Sequence, residues 1–231
     1  MPSASSRDAI PVPADVRTLL IFGGSFDPPH LAHVTLSIAA RDALGLDWLL
    51  VIPAGRSPFK SNAPIANDSH RVSMLERAFS DDARSSVSTI ELGTETGERP
   101  PSYTVDTLRR LRDALPGVSM RLLIGADQAL SFHRWREFEA IISLAEPAVM
   151  PRPGDAEDPT RFEQEMLAHW SPEEAARWRQ RLLGVPTLDV SATAIREAFA
   201  GRGDRGVLDR SLDPRVLAYI REHGVYDRPC D

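Results

Sequence analysis

The sequence predicts an α/β fold in which a parallel sheet carries helices on both faces and a helical portion completes the C-terminal end. Three observations lead there. Short apolar runs at residues 18–22, 48–52, 87–90, 120–124 and 148–150 alternate with longer amphipathic stretches, the pattern of strands joined by helical crossovers. The first run ends in a Gly-Gly pair and passes straight into an apolar helix, a strand–turn–helix unit. The chain has 231 residues, 42% of them apolar, enough to bury a substantial core without disulfides or structural metal.

Residues 1–17, rich in Ser, Ala and Pro and without a clear period, read as a flexible arm, with folding beginning at Thr18. Helices are expected where apolar positions recur at helical spacing among charges, at 31–44, 69–79, 105–115, 171–183, 193–200 and 214–222. Residues 151–160 contain three prolines, a glycine and three acidic residues, and read as a loop that marks a boundary or rims a site. No second core follows it and there are no internal repeats, so residues 18–231 are taken as a single domain.

A formal charge of −6 argues against a broad footprint for nucleic acid or anionic lipid, which are held by clustered Lys and Arg. Neither a signal-peptide core nor a run of about 18 apolar residues occurs, and the lone Cys230 can form no internal bridge. A cytoplasmic protein without nucleic-acid or membrane partners is expected; a homo-oligomer is compatible with everything in the sequence.

The first strand ends in Gly23-Gly24-Ser25-Phe26-Asp27-Pro28-Pro29-His30-Leu31-Ala32-His33. Two glycines open backbone conformations closed to other residues and let a ligand approach the chain. The free amides and positive end of the following helix favour phosphate. His30 and His33, three apart, project to one side of its first turn, where imidazolium can donate hydrogen bonds to phosphate oxygens. Zinc is the competing reading, but no Cys or His-Glu pairing inside this helix supplies a third ligand. Near the other end, Val190-Ser191-Ala192-Thr193-Ala194-Ile195-Arg196 leads into another helix. Ser or Thr there is usually only a cap; with Arg196 one turn on, the hydroxyls and amides become a compact donor set for terminal phosphates. In Leu123-Ile124-Gly125-Ala126-Asp127, a carboxylate just past a strand end either accepts from ribose hydroxyls, with Gly125 leaving room for the sugar, or caps the next helix.

The first two strings resemble the adenylyltransferase branch of the nucleotidyltransferase superfamily, most closely the bacterial nicotinate-nucleotide adenylyltransferases. That family reads Gly-Gly-(Thr/Ser)-Phe-Asp-Pro-x-His-x-Gly-His near one end and (Ile/Val)-Ser-(Ser/Ala)-Thr-x-Ile-Arg near the other. Three middle segments are similar as well: Pro101-Ser102-Tyr103-Thr104-Val105-Asp106-Thr107-Leu108, Ile124-Gly125-Ala126-Asp127 and Trp135-Arg136-Glu137-Phe138. Pro53 to Lys60 occupies the place of a Pro-His-Lys loop, and Arg152-Pro153-Gly154 that of an Arg-Pro-Gly loop. The departures are Ala32 for the family's Gly, which adds a methyl near the phosphate path, and Phe59 for its His, which removes one imidazole.

The resemblance implies a Rossmann-like fold and transfer of the adenylyl group of ATP to nicotinate mononucleotide, with Mg²⁺ brought by ATP. It implies catalytic roles for His30, His33 and Arg196, and ATP binding by Gly23, Gly24, Ser25, Phe26, Gly125, Asp127, Ser191 and Thr193. It further implies substrate binding by Lys60, Thr104, Trp135, Arg136 and Arg152. Trp135 would stack on the pyridine ring, although without the resemblance a large aromatic on an amphipathic segment reads as core.

Overall fold

The computed structural model describes residues 10–55, 64–92, 102–155 and 158–226. Among them the elements run β1 (Thr18–Gly24), α1 (Leu31–Ala43), β2 (Trp48–Pro53), α2 (Asp68–Ala78), β3 (Ser85–Val87), α3 (Thr104–Ala114), β4 (Ser119–Gly125) and α4 (Ala126–Leu130). They continue with α5 (Phe138–Leu144), β5 (Glu146–Met150), α6 (Pro159–Met166), α7 (Pro172–Gln180), α8 (Ala192–Phe199), α9 (Gly206–Ser211) and α10 (Pro214–His223).

The five strands form one parallel sheet in the order β3-β2-β1-β4-β5. Successive side chains of a strand point to opposite faces, and here both faces are covered. Leu20, Phe22, Leu49, Val51 and Leu123 pack on one side with residues of α1, α2, α8 and α10. Leu19, Ile21, Leu50, Ile52 and Ile124 pack on the other with residues of α3, α5, α6 and α7. The strand order therefore reverses between β1 and β4, and a crevice opens beyond their carboxyl ends, where open α/β sheets bind ligands.

Helix starts follow local chemistry. Asn67 accepts from the His70 N–H (2.9 Å), and Ser171 and Asp213 each cap a helix whose first residue is proline. Asp158-Pro159 is the same signal, so α6 begins inside the expected 151–160 loop. The strand expected at 87–90 sits earlier, at Ser85–Val87, because this edge strand is half polar: Ser86 accepts from Trp48 Nε1 (2.8 Å) and donates to the Pro11 carbonyl (2.5 Å). The helix expected to reach 183 stops at Gln180, since Arg181 to Leu183 run beside β5 and cover its edge. The expected arm is also shorter. Val16 is buried and Asp47 accepts the N–H groups of Arg17 and Thr18 (2.9 and 2.8 Å), which docks residues 10–17 on the domain; residues 1–9 lie outside the described residues. No described helix is long and apolar enough to cross a membrane.

Candidate active site

The turn after β1 is built around aromatic packing. Phe26 carries the left-handed backbone (φ +48°) that the sequence assigned to the glycines. Its ring is buried edge-on against Phe22 and His33, with centroids 5.3 and 5.0 Å apart. A Cβ on Gly24 would fall 2.9 Å from the tip of that ring. Gly24 thus makes room for Phe26, which in turn backs His33, a packing role that the sequence did not announce.

His30 caps α1 and stacks on His33, centroids 3.6 Å apart. The His30 N–H donates to His33 Nδ1 (3.2 Å), so a neutral His33 ring carries its proton on Nε2. Burial lowers the His30 pKa to about 4, so this imidazole is neutral near pH 7 and the expected imidazolium is corrected at that position. Among the described residues no hydrogen-bond partner meets the buried His30 Nδ1, a group that a ligand can satisfy. Because the folded-state value lies below the ordinary 6.5, folding stability is fully present above about pH 6.5 and falls toward pH 4 as the unfolded chain takes up the proton. Denaturation across that window should show a steeper pH dependence for the wild type than for His30→Gln; equal slopes would refute the buried neutral imidazole.

The turn is clamped from three directions. The buried Asp27 carboxylate accepts from the N–H groups of Ile65 (2.8 Å) and Ala66 (3.0 Å) and from Tyr226 Oη (2.7 Å). Burial, then the charge of Asp27, pushes the Tyr226 phenol upward, so it remains a donor. Arg71, fully buried on α2 and paired with Asp68 (2.7 Å), donates to the Ser25 carbonyl (2.9 Å). Arg196 on α8 donates to the Asp27 carbonyl (2.6 Å) and to Thr193 Oγ1 (3.1 Å). Ser191 caps α8 by accepting from the Ala194 N–H (3.4 Å). None of the described carboxylates pairs with Arg196, so its charge is held by neutral partners and stands available to an anion.

On the other side of the turn lies a cavity of about 380 Å³, bordered by Gly23, Gly24 and Ser25 and on its far wall by Thr104, Trp135 and Arg136. Trp135 stacks on Phe132 (4.9 Å) and also lines this space, so it is packed on one side and borders the cavity on the other. Arg136 lies over the Tyr103 ring (4.7 Å), and the left-handed Glu137 (φ +52°) is tied to Arg109 (2.5 Å), which fixes the turn on α3. Glu91, also in the wall, was missed in the sequence. Burial pushes its carboxyl upward against the Thr107 hydroxyl, which donates at 2.8 Å.

Other expected residues stand elsewhere. Arg152 does not line the cavity: its guanidinium grips the buried Asp155 (2.9 Å) and meets Glu165 (2.9 Å) and Asp127 (3.3 Å), Asp155 first among the groups that raise its pKa. The proposed phosphate cation is thus a structural hub in this state. Asp127 is exposed on α4 and turned to Arg152, and a Cβ on Gly125 would meet open space. Phe26, being buried, can offer a nucleotide only its backbone. Lys60 and Phe59 lie outside the described residues.

A parallel sheet with its switch point at β1/β4, and imidazoles, hydroxyls and a guanidinium that no described carboxylate neutralises gathered there, define a nucleotide-handling α/β protein of the nucleotidyltransferase type. The cytidylyltransferase-like family model matches residues 21–198. A probable nicotinate-nucleotide adenylyltransferase of Chromobacterium violaceum is 36% identical over 214 residues, 89% of this chain and 97% of that protein. One from Roseiflexus is 39% identical over 209 residues, 89% and 96% of the two chains. The Plasmodium falciparum nicotinic acid mononucleotide adenylyltransferase, solved in complex with NaAD, superposes with a TM-score of 0.67 at 17% identity, over 93% of this chain and all of that one, and shares the fold. The chain belongs to the nicotinate-nucleotide adenylyltransferases of the cytidylyltransferase-like family.

Proposed function

We propose that the protein transfers the adenylyl group of ATP to nicotinate mononucleotide: the substrate phosphate attacks the α-phosphorus in line, the bond to the β-phosphate oxygen breaks, and pyrophosphate leaves with deamido-NAD formed. The observation that carries this reading is the cavity at the β1/β4 switch point, with an aromatic wall at Trp135 on one side and the Gly23–Ser25 turn on the other. A phosphate monoester is already a competent nucleophile, so the protein needs no covalent intermediate. Its work is positioning and stabilisation of developing charge.

In this reading His33 and His30 meet the phosphates near the reacting centre, and Ser191, Thr193 and Arg196 take the outer phosphates. The ring of Trp135 and the N-terminus of α3 at Thr104 hold the nicotinate side. The donor set consists of imidazole, hydroxyl and guanidinium groups, which fit phosphate oxygens, and no described group of three or more His, Cys, Asp or Glu forms a metal cage. Mg²⁺ carried by the nucleotide fits such a site and supplies charge neutralisation on the phosphates. A cytoplasmic location without nucleic-acid or membrane partners accords with the acidic balance.

Pyrophosphate release with ATP and Mg²⁺ tests the assignment, comparing nicotinate mononucleotide, nicotinamide mononucleotide and phosphopantetheine at equal concentration. Strong preference for the nicotinate acceptor is expected; preference for another would keep adenylyl transfer and overturn the base pocket. Stacking is worth about 1–3 kcal/mol, so Trp135→Ala should raise the KM for nicotinate mononucleotide by about tenfold or more with the KM for ATP within about twofold. Equal effects on both would return Trp135 to a purely structural role.

A further inference from the structure

Helix α8 carries more of the anion site than its first turn. Thr193, Arg196, Glu197 and Ala200 stand at i, i+3, i+4 and i+7 and so share one face, about 10 Å long. With Ile65, Tyr226 and Arg202 they enclose a recess of about 200 Å³, separate from the cavity at Trp135. Arg202 reaches it because α8 ends at the left-handed Gly201 (φ +72°). The Gly201 N–H donates to the Ala198 carbonyl (3.2 Å) and the Arg202 N–H to the Glu197 carbonyl (2.8 Å), which folds the chain back over the last turn. None of the described carboxylates pairs with the Arg202 guanidinium, whereas nearby Arg210 is tied to Asp204 at 2.6 Å. Among the described residues the recess thus holds two guanidiniums against the Glu197 carboxylate, and Arg196 joins it to the Asp27 carbonyl of the turn after β1.

We propose that Arg202 is a further substrate-contacting residue, which holds the outer phosphates of ATP and the departing pyrophosphate in the recess it shares with Thr193 and Arg196. The inference rests on the reading of α8 as the polyphosphate helix. It extends the anion path from the first turn of α8 to its far end, and it makes Glu197 a brake on affinity, since its carboxylate repels the phosphates that the two arginines attract.

Titration calorimetry of inorganic pyrophosphate, with Mg²⁺, into the full chain and its variants tests this, together with steady-state kinetics. Arg202→Ala should weaken pyrophosphate binding by about tenfold or more, the size of one charge-assisted contact. It should raise the KM for ATP by a similar factor, leave that for nicotinate mononucleotide within about twofold, and be largely rescued by Arg202→Lys. Glu197→Gln should tighten pyrophosphate severalfold. Wild-type pyrophosphate affinity in Arg202→Ala together with a loss in Arg196→Ala would overturn the inference and leave the role of α8 standing. Wild-type affinity in both variants would overturn that role as well.

Discussion

His33→Ala is expected to lower kcat by about 10² to 10³ while the ATP dissociation constant stays within about threefold of wild type. His33 is held on every side that matters. Its Nδ1 accepts from the His30 N–H, so the proton of the neutral ring sits on Nε2, and the ring lies against His30 and against Phe26. A donor fixed in this way contributes most where charge accumulates at the transferring phosphorus, so its removal costs rate rather than ground-state affinity. Rapid-quench single-turnover kinetics beside equilibrium binding separates the two. A parallel loss of affinity and rate would show that His33 only binds, and an unchanged kcat would remove it from the chemistry.

Arg196→Ala should be at least as severe, with kcat/KM for ATP down by about 10³. Two deficits combine: the anion loses a guanidinium that no described carboxylate neutralises, and the Asp27 carbonyl loses its 2.6 Å donor, loosening the turn that carries His30. Arg196→Lys should recover little, because one ammonium cannot span Asp27 and Thr193 and still present donors to phosphate. Steady-state kinetics with varied ATP reads this directly. A lysine variant within about threefold of wild type would mean that charge alone matters at this position.

The contrast between Arg196 and Arg152 explains why site residues are only partly legible in a sequence. Both follow from motif resemblance, and both are guanidiniums near the same end of the sheet. Arg152 is neutralised by Asp155, Glu165 and Asp127, whose approach depends on how α6 and α4 pack, whereas Arg196 faces a backbone carbonyl and a hydroxyl. Sequence spacing reports a charge, and only the surrounding chain decides whether that charge is already spent. The same holds for His30, whose burial beneath the turn turns an expected cation into a neutral ring. Asp27 illustrates the reverse case: its partners Ile65 and Tyr226 lie 38 and 199 residues away, and no local pattern announces them.

The architecture and the two motif strings at either end of the chain are written in local signals. Apolar runs, helical periodicity and cap residues are local signals that act through backbone hydrogen bonding and burial, so β1, β2, β4, α1, α2 and α10 fall close to where they were expected. The Gly-Gly-Ser-Phe-Asp string and the Ser-Ala-Thr-Ala-Ile-Arg string carry their chemistry in contiguous residues. Short elements were decided by tertiary structure: α4 and α9 have five and six residues, too few for a periodic signal, and β3 exists through its pairing with β2. Tertiary structure also decided which strand ends became neighbours. The reversal between β1 and β4 brings residues of the two halves of the chain together at one crevice, and burial and charge pairing there are properties of contacts between distant segments.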